Sequence, residues 1–150
     1  MNLSPDPIPE WFSHGIRCCL KIPHKRERNR MFRQLTEAHM AIHHGIHIYR
    51  DGKDIRSESI FNSGIQITEA AEEIVKRQGH MAGCQLDHSI EIQDVVDNIM
   101  KMPEQKAIAH AWESLQYKFM TKKEHEEKTQ LSRTTRKAAN ALTKSKDEKI

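Results

Sequence analysis

Apolar side chains recur along this chain at helical spacing in five segments, each bounded by proline, glycine or a polar run. Pro5, Pro7 and Pro9 fix an extended arm at the start, because each ring removes a donor and biases the residue before it away from helix. Trp11, Phe12, Ile16, Cys19 and Leu20 then predict a short helix from about Pro9 to Lys21, docked on the core through Trp11 and Phe12. Pro23 ends it. A second helix is expected from Lys25 to His44, with Met31, Leu35, Ala38 and Ile42 as its apolar line, Phe32 and His39 beside that line, and Gly45 as a left-handed cap. Local signals agree best in the third. Thr68 caps it, Glu69, Glu72 and Glu73 occupy its first turns, Lys76 and Arg77 its last, and Gly79 lies just past the end. A fourth, capped by Asp87 or Ser89, carries Ile92, Val95, Val96 and Ile99 on one face.

The fifth segment, Glu104 to Asn140, is the longest run without glycine or proline, and Pro103 stands where a helix can begin. Ile108, Trp112, Leu115 and Phe119 fall at steps of four, three and four, which predicts one buried face folded back on the preceding helix. From Thr121 to Thr135 the only sizeable apolar residue is Leu131, so the helix is expected to leave the core and continue as a charged extension. The intervening stretches are weaker. Ile46 and Ile48 alternate with His47 and Tyr49 ahead of Asp51-Gly52, the signature of a short β-hairpin over 46–56, but its second arm is poor in strand formers and a fraying helix end competes. Ser57 to Ile67 and His80 to His88 read as loops, and Ala141 to Ile150 as a frayed end. The expected architecture is therefore mainly α: a small domain of four to five helices over residues 1–120, with an N-terminal arm, and a charged helical extension and tail over 121–150.

Composition narrows this picture. Of 150 residues, 37% are hydrophobic, 5% aromatic and 30% charged, which supplies only a small core and implies exposed or extended segments. The net charge of +3 hides a division into +4 over residues 1–50, −6 over 51–117 and +5 over 118–150. Basic ends around an acidic centre can grip a polyanion, fold onto that centre, or pair with a second copy of the chain. Three cysteines, two of them adjacent at Cys18 and Cys19, make no disulfide framework, and the prolines and Asp6 at the start do not form a secretory leader. No run approaches the roughly 18 apolar residues of a membrane span. These features favour the reducing cytoplasm.

Candidate chemistry is sparse. His39, His43 and His47 step by four, but no acidic residue stands between the first two and Gly45 breaks the helix before the third, so packed or surface histidines are favoured over a metal site. His80, Cys84 and His88 lack the second ligand pair of a structural zinc site. No nucleophile motif or glycine-rich phosphate loop occurs, so the chain is expected to be non-enzymatic, without catalytic residues, metal or cofactor. What stands out is basic. Arg26, Arg30 and Arg33 in the second helix and Lys122, Lys123, Arg133, Arg136 and Lys137 in the last form a candidate contact set for nucleic-acid phosphates, with little reading of base sequence. The expectation is an accessory or regulatory factor that associates with nucleic acid. The alternative is an adaptor or inhibitor that docks its C-terminal helix and N-terminal arm, helped by seven adaptable methionines, on a larger protein.

Overall fold

The computed structural model describes residues 7–48 and 50–148, leaving aside the side chains of residue 140 and of 142–148. Among the described residues the chain is mainly helical, with a small three-stranded sheet and a long C-terminal helix. Helices α1 (Glu10–Lys21) and α2 (Lys25–His44) pack together at the point where Gly15 lies against Leu35; a Cβ on Gly15 would come within 2.3 Å of Leu35 Cδ2. Helices α5 (Ile92–Ile99) and α6 (Glu104–Glu113) pack on that pair as the antiparallel hairpin predicted around Pro103. Phe12, Ile16, Cys19, Phe32, Leu35, Val95, Val96, Ile99, Ala107 and Ala111 make the shared core. This four-helix layer is one half of the fold.

The other half is built around a strand. Helix α3 (Ser57–Asn62), strand β1 (Gln66–Ile67), helix α4 (Glu69–Gln78) and strand β2 (Cys84–His88) precede α5, and strand β3 (Tyr117–Thr121) follows α6. The sheet order is β1-β3-β2, with β3 parallel to β1 and antiparallel to β2, Leu86 standing opposite Phe119. Phe119, Val75, Ala71, Ile46, Ile60 and Met40 fill a second core between sheet and helices. Because α6 ends at Glu113 and β3 begins at Tyr117, the segment from Glu104 to Asn140 is not one helix. Phe119 continues the line of Ile108 and Trp112 in sequence but is buried in the sheet instead. Likewise 57–67 contains α3 and β1, and 80–88 contains β2, where loops are expected from sequence.

Local signals that were clear are realised. Thr68 Oγ1 accepts from Ala71 N at 3.2 Å, and Gly79 and Gly45 close α4 and α2 with φ of 81° and 69°, a conformation glycine adopts without a Cβ clash. Among the described residues no hairpin forms over 46–56: Gly52–Asp54 make a 3-10 turn, and Arg56 pairs as an isolated bridge with His80. Pro7 to Pro9 have no regular structure; the rest of the arm lies outside the described residues, as do Lys149 and Ile150, while the backbone of the last helix, α7 (Lys122–Glu148), stays helical through the stretch expected to fray. No helix among the described residues is long and apolar enough to cross a membrane.

Candidate binding cleft between two basic helices

Helix α2 is turned about one position from the expected apolar line. Phe32, Leu35, Thr36, His39 and Met40 are buried, whereas Ile42 is 62% exposed. That rotation leaves Arg26, Arg30 and Arg33, at steps of four and three, as one solvent-facing stripe. None of the three guanidinium groups makes an ion pair or hydrogen bond among the described residues, whereas Lys25 in the same turn is bound to Asp97 at 3.3 Å.

Helix α7 starts directly from β3. Glu124 holds the junction, accepting from Thr121 N at 3.0 Å and from Thr68 Oγ1 at 2.6 Å, and the Thr121 bond foremost keeps its carboxyl below the usual carboxylate range. From there the helix lies along β2 and α5 through a row of polar contacts. Lys128 Nζ reaches Asp87 and the carbonyl of His88, His125 Nε2 stands 3.5 Å from Asp87 Oδ1, and Arg136 binds Glu91 and, at 3.0 Å, Asp94. Glu91 is held below its ordinary value, chiefly by a hydrogen bond from Ser132 and then, against the opposing effect of burial, by Arg136. Two of the basic side chains of the extension are thus taken up by the acidic centre of the same chain. Lys122, Lys123, Arg133 and Lys137 point away from it and remain exposed.

Between α2 and α7 lies a cleft of about 280 Å³, lined by Asn29 and Arg33 from α2, Asp87 and His88 from β2, Glu91, Ile92 and Gln93 at the start of α5, and His125, Lys128 and Thr129 from α7. Arg133 and Lys137 follow Thr129 at successive steps of four, so they continue its ridge along the same side of α7. On the facing helix Arg33 lines the cleft, while Arg26 and Arg30 continue its exposed stripe outside that lining. The candidate contacts therefore divide: Arg33 lines the cleft, Arg26 and Arg30 extend its stripe along α2, Arg133 and Lys137 lie exposed along α7, Arg136 is committed to carboxylates, and Lys122 lines a separate crevice with Asp51, Gly52, Met81 and Gln85. Lys123 stands on the outer face of α7, one residue from Lys122 and exposed to solvent.

Behind the cleft runs a buried polar chain with no direct sign in the sequence. His39 Nδ1 and the Tyr117 hydroxyl share a 2.9 Å bond, Tyr117 also reaches Thr36 O at 3.4 Å, and His88 Nε2 meets Thr36 Oγ1 at 3.0 Å. Thr36 donates its own proton to Arg33 O, so its oxygen accepts from His88. Burial pushes His39 down to about 4, with His43 and His44 adding to it. His88 falls to about 4 for the same first reason, Asp87 opposing and Arg33, Lys128 and His125 reinforcing. Burial raises Tyr117.

The histidine sets do not assemble as metal ligands. The rings of His39 and His43 lie 4.6 Å apart and both pack edge-on to Trp112, while His47 lies beyond the helix end. His80 accepts from Ala82 N, Cys84 is buried, and His88 is turned to Thr36. No group of three metal-ligating side chains converges among the described residues. Comparison with protein-family models, with curated proteins and with solved structures finds no match for this chain.

Proposed function

We propose that this protein is a non-enzymatic accessory or regulatory factor that associates with nucleic acid by gripping the sugar-phosphate backbone between α2 and α7. The observation that carries the reading is the stripe of Arg26, Arg30 and Arg33, exposed and without ion pairs on the first half of α2. Arg26, in the first turn, opposes the helix dipole, typically by about 0.3–1 kcal/mol, a cost that Glu27 in the same turn offsets in part. Guanidinium groups one helical turn apart suit a row of phosphates, which arginine binds through paired N–H donors. Arg133 and Lys137 across the groove extend the positive edge, while Asp87 and Glu91 between them are neutralised by Lys128 and Arg136. The pattern supports backbone contact rather than reading of base edges.

Anisotropy of labelled single-stranded and duplex oligonucleotides at two salt concentrations tests the reading. Binding is expected at low salt and to weaken as salt rises, because each neutralised phosphate releases counterions. Replacing Arg26, Arg30 and Arg33 together by Ala is expected to reduce the logarithmic salt slope by roughly two to three. No association at low ionic strength, or a slope unchanged in the triple variant, rejects the proposal.

A second reading rests on Leu131, which is 68% exposed on an α7 about 40 Å long. A large apolar side chain in water on a projecting helix suits docking on a protein partner, with the same cations at the rim.

A further inference from the structure

We propose that the cleft between α2 and α7 is a binding site for a phosphomonoester, gripped by Arg33 and steadied by Lys128 and His125. The site is separate from the strand-binding edge in what it would hold. At about 280 Å³ it sits at the small end of ligand cavities, sized for a phosphate with a modest substituent rather than a passing strand.

The charges inside it are unequal in their commitments. Asp87 is 8% exposed and already bound to Lys128, with His125 on its other oxygen, and Glu91 is bound to Arg136. Arg33 is the lining cation without a carboxylate. It reaches the cleft from α2, while Lys128 and His125 line the same cleft from α7. With those ion pairs closed, the lining keeps the one positive charge of Arg33. His88 behind it is held neutral chiefly by burial, so it adds no further charge.

A phosphomonoester fits this field better than a diester. It carries about −1.5 to −2 charges at neutral pH and three terminal acceptor oxygens, against one charge for a strand phosphate. Arg33 can take two of those oxygens side by side, and the amides of the first turn of α5, at Ile92 and Gln93 in the lining, have no acceptor within their own helix. Lys128 and His125 contribute field while they remain bound to Asp87.

Calorimetric titration at low ionic strength with inorganic phosphate, adenosine 5′-monophosphate and adenosine tests this. Phosphate and the monophosphate are expected to saturate a single site and to compete, while adenosine does not bind. Arg33→Ala, at an exposed position, is expected to weaken both at least tenfold, and Arg33→Lys to restore part of the loss. A monophosphate bound more tightly than phosphate assigns the ligand to nucleotides, equal affinity assigns it to free phosphate, and either supports the site. Failure of both to saturate, adenosine binding as well as its monophosphate, or unchanged affinity in Arg33→Ala overturns it. The Arg26→Ala, Arg30→Ala double variant is expected to keep phosphate affinity while losing strand affinity, so the two proposals fail separately.

Discussion

His39 shows how much of a residue's role depends on what the fold puts opposite it. Its sequence neighbours place it beside an apolar line, four residues from His43, a spacing that equally suits metal ligands or packed rings. Only the arrival of Tyr117 from 78 positions away decides between them. The resulting chain of His39, Tyr117, Thr36 and His88 is hydrogen-bonded with both imidazoles neutral, and that has a consequence in acid. A histidine depressed to about 4 when folded but near 6.5 when unfolded binds more protons in the unfolded state at intermediate pH. Its contribution is complete above about 6.5 and is lost as pH falls towards 4. For His39 this amounts to roughly 3 kcal/mol, with His88 acting in the same window. Urea denaturation at pH 7.5, 6, 5 and 4.5 should show stability declining through that range, and His39→Phe should shallow the decline. A flat profile in the native protein would mean that the two imidazoles are not buried neutral.

Among the elements, the strand β3 divides what could be read from what could not. The apolar steps from Ile108 to Phe119 fit a helix, and no glycine or proline interrupts them, so periodicity alone carries the helix through residues that form a strand. A competing signal was present: Tyr117, Phe119 and Thr121 alternate with Lys118 and Met120, and all three are strand-favouring. Tertiary pairing with β1 and β2 settles the contest, since neither partner strand has a strong pattern of its own. By contrast the cap at Thr68 and the glycines after α2 and α4 act within a turn of the chain, which is why they were legible. Phe119 is fully buried at the centre of the sheet, so Phe119→Ala is expected to cost about 3–5 kcal/mol by chemical denaturation. A loss below about 1 kcal/mol would fit an exposed helical position and contradict the strand. Thr68 caps α4 and donates to Glu124 of α7, and Thr68→Ala should cost on the order of 1–2 kcal/mol while loosening both helices.

For the molecule as a whole, the alternation of basic, acidic and basic thirds was visible in the sequence, and one of its three readings, folding onto the acidic centre, is realised in part by the geometry. Lys128 and Arg136 fold onto the acidic centre, and the cations on the other side of α7 stay free. Which did which was not legible, because it depends on the angle at which α7 leaves β3, and that angle is set by Glu124 and Thr68. The attachment of α7 beyond Glu124 is almost wholly polar, so it should respond to salt as the helical core does not. Amide exchange across residues 125–137 is expected to quicken in Asp87→Asn or at high ionic strength while α1 and α5 stay protected. Equal protection throughout would indicate apolar anchoring instead.

The proposed grip on nucleic acid requires α2 and α7 to act together as two edges of one groove. Chemical-shift mapping of the labelled protein on addition of a short single-stranded oligonucleotide at low salt tests this most directly. The predicted result is perturbation at Arg26, Arg30 and Arg33 together with Arg133 and Lys137, appearing at the same stoichiometry. Perturbations confined to one helix, or lying on the face of α1 and α6, would contradict it.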